Sequence, residues 1–203
     1  QHIAIFGAGH VAKALVPILA QLPVRISWID SRDDLFPPLL PANVQKVVEE
    51  MPESEVRHLD ENSWLVILTH DHQLDYRITE QALKLPSLPF VGLIGSDTKA
   101  KRFITKLIQR GFDERALSRL VTPIGNRDIP GKQPIEVAVS IAAQLIARLH
   151  DDKSVAVDDS KATGSAPHDA RVTSTNANEA GQRKEQALSN SNSKKRSIIS
   201  DVK

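Results

Sequence analysis

The chain has 203 residues, with 26 lysines and arginines against 25 aspartates and glutamates, and it contains no cysteine. Without cysteine, disulfide scaffolds, cysteine-ligated zinc or iron–sulfur sites and thiol nucleophiles are excluded. No apolar run approaches the roughly 18 residues of a membrane-spanning helix, and no signal-peptide pattern opens the chain. The balanced charge argues against a protein that binds nucleic acid mainly by electrostatics. We therefore expect a cytoplasmic protein that binds neither membrane nor nucleic acid.

Composition divides the chain into a body, residues 1–150, and a polar tail, residues 151–203. The tail has no aromatic residue and is rich in serine, asparagine, lysine and aspartate, so it cannot bury enough apolar surface to offset its ordering entropy. We expect a disordered tail behind a single domain of common size. Because a strand pattern begins directly at residue 2, we also expect the chain to be a piece of a longer protein.

Strand and helix patterns alternate along the body. Short apolar runs predict strands, and apolar residues at i, i+3, i+4 and i+7 predict helices. The predicted strands are His2–Phe6, Val24–Asp30, Val44–Val48, Trp64–Thr69 and Phe90–Ile94. Five helices are predicted. The first begins after Gly9 and ends at Leu19, and the second covers Asp75–Leu83. The third begins at a cap, Ser96 or Asp97, and stops at Gly111, and the last two cover Glu114–Leu120 and Pro134–His150. This alternation predicts an α/β fold with a doubly wound, mostly parallel, Rossmann-like sheet.

The first candidate site lies at the turn between the first strand and the first helix. The segment Gly7-Ala8-Gly9-His10-Val11-Ala12 is a GxGxxA turn, in which the glycines let the backbone approach a diphosphate at a helix N-terminus. Asp30, at the end of the second strand, can accept hydrogen bonds from ribose-type hydroxyls, whereas Arg32 can meet a phosphate instead. A nucleotide-like ligand is the favoured interpretation. The alternative is that the glycines only let the helix pack closely on the sheet.

The second candidate site is Thr69-His70-Asp71-His72, with Asp75 one turn later. In a Rossmann strand order these side chains face the glycine turn across a crevice. Three interpretations stay open: polar contacts to a ligand, capping of the following helix, or a metal site, since imidazole and carboxylate suit Zn²⁺. Side chains at i and i+2 of an extended segment point to opposite sides, which weighs against joint coordination by the two histidines. The identity of any metal is left unknown.

The third candidate site is the turn Gly95-Ser96 with the first turns of the helix behind it. A glycine turn, a hydroxyl and a helix N-terminus form an anion cradle, with Lys99 and Arg102 one turn away. The alternative for these two cations, weighted equally, is simple solvation. One helix terminus stabilises an anion by up to about 2 kcal/mol, whereas micromolar binding requires about 8 kcal/mol. We therefore expect the two anion cradles and Asp30 to act together on one ligand.

Four segments in this order resemble the C-terminal domain of the xanthine dehydrogenase accessory family, of the XdhC or CoxI type. They are IFGAGHVAKAL at residues 5–15, THDHQLD at 69–75, FVGLIGSDTKAKRF at 90–103, and PIG at 123–125 followed by GKQPIEVAVSIAAQL at 131–145. The resemblance covers essentially the whole body. It leads us to expect that the N-terminal domain of the family is missing from this chain.

The resemblance implies an accessory protein and chaperone rather than an enzyme. Family members bind the molybdenum cofactor, a molybdopterin whose phosphate can be joined to a nucleotide. They shelter it while a cysteine desulfurase replaces an oxo ligand by sulfur, and they assist its insertion into xanthine dehydrogenase or a related molybdenum hydroxylase. A second copy of this chain is a further candidate partner. The predicted crevice then holds the cofactor, with no catalytic residue, through Gly7, Gly9, His10, Asp30, Thr69, His70, Asp71, His72, Gly95, Ser96, Lys99 and Arg102.

Two functions of other classes remain as alternatives. An NAD(P)-dependent oxidoreductase agrees with Asp30, but the chain offers no substrate domain after the last predicted helix. A nucleotide-sensing regulatory module needs only the first βαβ unit and a dimer interface, and it leaves the segment from Thr69 to His72 and the Gly95-Ser96 cradle without a role. Titration with NAD(H), NADP(H) and isolated molybdopterin distinguishes the three functions.

Overall fold

Six parallel strands form one sheet in the computed structural model, which describes residues 1–160 and the side chains of residues 1–151. The strands are β1 His2–Phe6, β2 Arg25–Asp30, β3 Val44–Val48, β4 Trp64–Ile67, β5 Phe90–Leu93 and β6 Leu120–Val121. Their order in the sheet is β3-β2-β1-β4-β5-β6, and every neighbouring pair is parallel. The order reverses between β1 and β4, which confirms the predicted doubly wound, Rossmann-like sheet.

Helices cover both faces of the sheet. They are α1 His10–Leu19, α2 His72–Lys84, α3 Asp97–Gln109, α4 Glu114–Leu117 and α5 Pro134–Ser160, with short 3-10 helices at Asp33–Leu35 and Pro52–His58. Buried residues of α1 and α5 pack on one face, and those of α2 and α3 pack on the other. Among these described helices, none combines the length and the apolar character needed to span a bilayer.

The apolar strand patterns arise because each strand is covered on both sides. In β4, Trp64 and Val66 belong to the core cluster of the α1 and α5 face, whereas Leu65 and Ile67 belong to the cluster of the α2 and α3 face. Successive side chains of a strand point to opposite faces, so a strand between two helical layers must be apolar at every position. All four residues of β4 are buried accordingly.

Three helices differ from their prediction by three residues or more. Helix α2 begins at His72, three residues before the predicted start at Asp75, because the Asp71 side chain caps it there. The predicted helix Glu114–Leu120 ends as α4 at Leu117, and Leu120–Val121 instead pairs with β5 as the sixth strand. Helix α5 begins at Pro134 as predicted but continues to Ser160, beyond the predicted end at His150.

The predicted tail, residues 151–203, overlaps the end of α5 as far as residue 160. Residues 161–203 lie outside the described part of the chain. The division into a domain at 1–150 and a tail therefore stays a prediction.

Candidate functional site

The carboxyl ends of β1 and β4 meet where the strand order reverses, the usual ligand position in such sheets. Phe6 pairs with Ile67, and the Leu68 N–H donates to the Phe6 carbonyl at 2.8 Å. Gly7 follows with a φ of +106°, and a Cβ there would lie 2.7 Å from the Leu68 carbonyl oxygen. Because both the left-handed backbone and this contact exclude a side chain, only glycine lets the two strand ends meet.

The N-terminus of α1 faces open space. Gly9 is its N-cap, with no side-chain hydrogen bond to the first turn and no acidic residue within that turn. A Cβ on Gly9 would meet nothing within 4 Å apart from its own chain neighbours. In α2 and α3, by contrast, the side chains of Asp71 and Ser96 accept hydrogen bonds from first-turn N–H groups. The first-turn N–H groups of α1 are thus left to water or to a ligand anion.

Asp30 is buried, and its carboxylate is already engaged. Oδ2 accepts from the Ala8 N–H at 2.7 Å, and Arg32 forms a two-point pair with both oxygens at 2.9 Å. The Arg32 N–H also donates to Oδ1 at 3.0 Å. Burial by itself raises the pKa of the Asp30 carboxyl, but the hydrogen bonds from Arg32 and Ala8 outweigh it and hold this pKa below its ordinary value. Asp30 therefore ties β2 to the glycine turn, and little of its acceptor capacity is left for a ribose hydroxyl.

A buried ion pair joins α2 to α3 beneath the Gly95 turn. The Lys99 ammonium lies against Asp75 Oδ2 and donates to the Ile94 carbonyl at 2.9 Å. The Lys99 side chain is 10% exposed and that of Asp75 is 1% exposed. The Thr69 hydroxyl donates to the other Asp75 oxygen at 2.6 Å. A Cβ on Gly95 would come within 2.6 Å of Lys99 Cδ, so the glycine makes room for the lysine.

The histidines of the candidate site are exposed, and they do not assemble a metal centre. His10 begins α1, His72 begins α2, and His70 precedes the Asp71 cap. Among the described residues, no group of three histidine, aspartate or glutamate side chains is placed to hold a metal ion. Asp71 accepts from the Gln73 N–H at 2.7 Å, and this bond is the main reason why its pKa is lowered. The capping interpretation is therefore confirmed for Asp71.

Eight of the twelve predicted site residues line one of two separate cavities, and the other four, Gly9, His10, Asp71 and Gly95, line neither. The first, the edge cavity, has a volume of about 30 Å³ and brings together Gly7, Asp30, Arg32, Thr69 and His70. The second, the helix groove, has a volume of about 850 Å³ and runs between α2 and α3. It brings together His72, Ser96, Lys99 and Arg102 with residues further along both helices. The contacts from Thr69 through Asp75 to Lys99 connect the two cavities.

The aromatic floor of the helix groove was not predicted from the sequence. The Tyr76 and Phe103 rings pack edge to face with centroids 5.3 Å apart, and Lys106 Nζ lies 3.9 Å from the centroid of the Tyr76 ring. Helical spacing contained the signal, because Tyr76 follows His72 by four residues and Phe103 follows Lys99 by four. Residues four apart on a helix share a face.

Comparison with known proteins identifies the family of this chain. The family model of the XdhC Rossmann domain matches residues 3–145. The uncharacterized protein YqeB of Escherichia coli K12 is 28% identical over 145 residues, which are 71% of this chain and 26% of YqeB. The crystal structure of a protein described as a xanthine dehydrogenase from Bacillus halodurans has a TM-score of 0.63 at 25% identity, over 74% of this chain and 43% of that one. This chain thus spans less than half of either protein. Because the family match runs from β1 into α5, the chain belongs to the XdhC family and contains its Rossmann domain.

Proposed function

We propose that this Rossmann domain binds the molybdenum cofactor as part of a cytoplasmic accessory protein for xanthine dehydrogenase or a related molybdenum hydroxylase. Membership of the XdhC family supports the accessory role. The observation that carries the binding role is the N-terminus of α1, which has no side-chain cap and faces open space at Gly9. A phosphate group, such as the cofactor contains, is the ligand that such a helix terminus suits best.

The residues at this edge of the sheet fit a phosphate-bearing pterin. Backbone N–H groups of the first α1 turn hold the phosphate, and no acidic side chain in that turn opposes it. The imidazoles of His10 and His70 are exposed and free to hydrogen-bond with pterin or phosphate. The edge cavity, with about 30 Å³, admits a single water-sized group. A pterin ring would therefore not fit inside this cavity.

When bound, the cofactor would supply a molybdenum centre, the group on which a cysteine desulfurase would act. This chain has no cysteine of its own, so it contributes binding and orientation while the desulfurase contributes the sulfur. Asp30 keeps the glycine turn in place through the Ala8 N–H. The domain is thus a carrier and not a catalyst in this proposal.

Replacement of Gly9 by valine tests the binding role. Valine fills the space at the α1 N-terminus, while the φ of −75° at Gly9 is one that valine adopts without strain. We expect Gly9→Val to lower the cofactor content of the purified chain by at least about tenfold. Its unfolding free energy should fall by no more than about 1 kcal/mol. The full chain is purified from a cofactor-producing host and denatured. Molybdenum is then measured by mass spectrometry, and the oxidised pterin by fluorescence.

The matched control is Asp113→Val, which places the same side chain at the N-cap of α4. This variant should retain the cofactor content of the unaltered chain. Unchanged cofactor in Gly9→Val would contradict the proposal. The proposal would also be contradicted if the unaltered chain carried neither molybdenum nor pterin and bound NAD(H) tightly. In that case, turnover of NAD(H) would favour the oxidoreductase, and binding without turnover would favour the regulatory module.

A further inference from the structure

The helix groove contains a row of three cations, of which only Arg102 was among the residues predicted to hold the cofactor. Arg102, Lys106 and Arg110 follow one another at intervals of four residues along α3 and its C-cap, and all three are exposed. Since an α-helix rises 1.5 Å per residue, neighbouring members of this row are about 6 Å apart along the helix, and the row spans about 12 Å. The three residues form one wall of the groove.

Most of the charge in this row is available to a ligand. Within residues 1–151, neither Arg102 nor Lys106 has an ion-pair partner, and Lys106 instead lies over the Tyr76 ring. Arg110 pairs with Glu80 at 2.8 Å, but the Arg110 side chain is 54% exposed. The Glu80 side chain is only 12% exposed, so this carboxylate holds part of the Arg110 charge, and Arg102 and Lys106 carry most of the charge that a ligand can use. Lys99 differs, because the buried Asp75 carboxylate already neutralises it.

Tyr76 provides a second and independent sign of a ligand. It is only 6% exposed and lines the groove, and its hydroxyl has no hydrogen-bond partner among the described residues. Buried hydroxyls in proteins are normally paired, so an unpaired one requires an explanation. Burial, with a further contribution from Glu80, raises the pKa of the Tyr76 phenol, so the hydroxyl stays protonated and can donate. A carboxylate is a suitable acceptor once the side chains that close the hydroxyl off from solvent move aside.

We propose that the helix groove binds an acidic segment of a partner protein whose carboxylates recur about every 6 Å. Acidic residues at every fourth position of a helix, or at every second position of a strand, recur at about 6–7 Å. Adjacent phosphates of a nucleotide share a bridging oxygen, so a triphosphate would reach only part of the row. The net charge of +1 over 203 residues argues against a nucleic acid. The interaction does not depend on the proposed cofactor function.

The test uses Tyr76 as a site-specific probe, because it is the only tyrosine of the chain. The full chain is labelled with 3-fluorotyrosine, so that a single ¹⁹F signal reports on the groove. It is titrated with two probe peptides, a helical one with glutamate at every fourth position and an extended one with glutamate at every second position. We expect at least one to produce a saturable shift that weakens as salt is raised. The same peptides with lysine in place of glutamate should produce none.

Charge reversals locate the binding. Arg102→Glu and Lys106→Glu should each weaken peptide binding by about tenfold. The matched control is Lys101→Glu, the same charge change at an exposed position of α3 that does not line the groove, and it should leave the affinity unchanged. The lack of a ¹⁹F shift with either acidic peptide, or an equal loss in Lys101→Glu, would overturn the proposal. Tighter binding of a single-stranded oligonucleotide would overturn it as well.

The two proposals can fail separately. The cofactor content of Lys106→Glu, measured as for Gly9→Val, should equal that of the unaltered chain, because Lys106 lies about two and a half helical turns from the start of α3 and outside the edge cavity. A loss of peptide binding with full cofactor content therefore supports the groove proposal without bearing on the cofactor proposal.

Discussion

The ammonium group of Lys99 lies against the Asp75 carboxylate, and both are buried under the Gly95 turn. A buried charge is tolerated when an opposite charge and hydrogen bonds replace its water, and here the Ile94 carbonyl and the Thr69 hydroxyl complete the set. Simple solvation is therefore wrong for Lys99, although it describes the exposed Arg102. The phosphate role of Lys99 stays a prediction, and it would require the ligand to compete with Asp75.

Replacing Lys99 by methionine should leave the Asp75 carboxylate buried without its partner. We expect Lys99→Met to lower the unfolding free energy by about 3–5 kcal/mol, as when one member of a buried ion pair is removed. Arg102→Met on the same helix, at an exposed position without an ion-pair partner among residues 1–151, should change it by less than about 0.5 kcal/mol. Urea unfolding followed by tryptophan fluorescence measures both. Equal effects of the two substitutions would show that the ion pair does not stabilise the fold.

Asp71 determines where α2 begins. Its carboxylate accepts from the N–H groups of Gln73 and Leu74 at 2.7 and 3.3 Å, so the helix starts at His72 and places the aromatic ring of Tyr76 one turn inside. Because capping lowers the pKa of Asp71, the stabilisation is present above the unfolded pKa of about 3.9 and is lost as the pH falls through the lower folded pKa.

We expect Asp71→Ala to cost about 1 kcal/mol of unfolding free energy at neutral pH. Asp71→Ser should retain most of that stability, since a serine hydroxyl also caps a helix. Because a serine hydroxyl does not titrate at acid pH, the loss of stability that this cap causes at low pH should disappear in Asp71→Ser. Thermal unfolding at neutral pH and at about pH 3 compares the three proteins. If the serine variant were as unstable as the alanine variant at neutral pH, Asp71 would have a role other than capping.

Elements with a repeated apolar pattern could be predicted from the sequence, whereas elements that depend on a neighbour could not. The strands β1 to β5 and the start of α5 at Pro134 follow from periodicity and from helix-start chemistry. Strand β6 has only two residues, too few to show a period, and it exists because Leu120 and Val121 pair with β5. The part of α5 after His150 has no apolar stripe in the sequence that would have predicted it.

At the scale of the whole molecule, strand order could be predicted from the alternation of elements, and pairing between side chains could not. The crevice position of Gly7 and Thr69 follows from the topology, because parallel strands end at the same edge of the sheet. The partners of Asp30, Asp75 and Lys99 depend on ångström-scale approach between segments up to 24 residues apart. This is why residues predicted to share one ligand are divided between the edge cavity and the helix groove.

The sheet couples its two faces, because each strand contributes side chains to both core clusters. Trp28 and Trp64 belong to the cluster on the α1 and α5 face, and Ile78 is fully buried in the cluster on the opposite face.

We expect Ile78→Ala to lower the unfolding free energy by about 2–5 kcal/mol through the cavity that it leaves. If the two layers unfold as one cooperative unit, tryptophan fluorescence and far-ultraviolet circular dichroism should shift to the same lower urea midpoint. The matched control Ile108→Ala, at a position that is 40% exposed, should shift both midpoints far less. A fluorescence midpoint that stays unchanged while the dichroism midpoint falls would mean that the α2 and α3 layer unfolds separately.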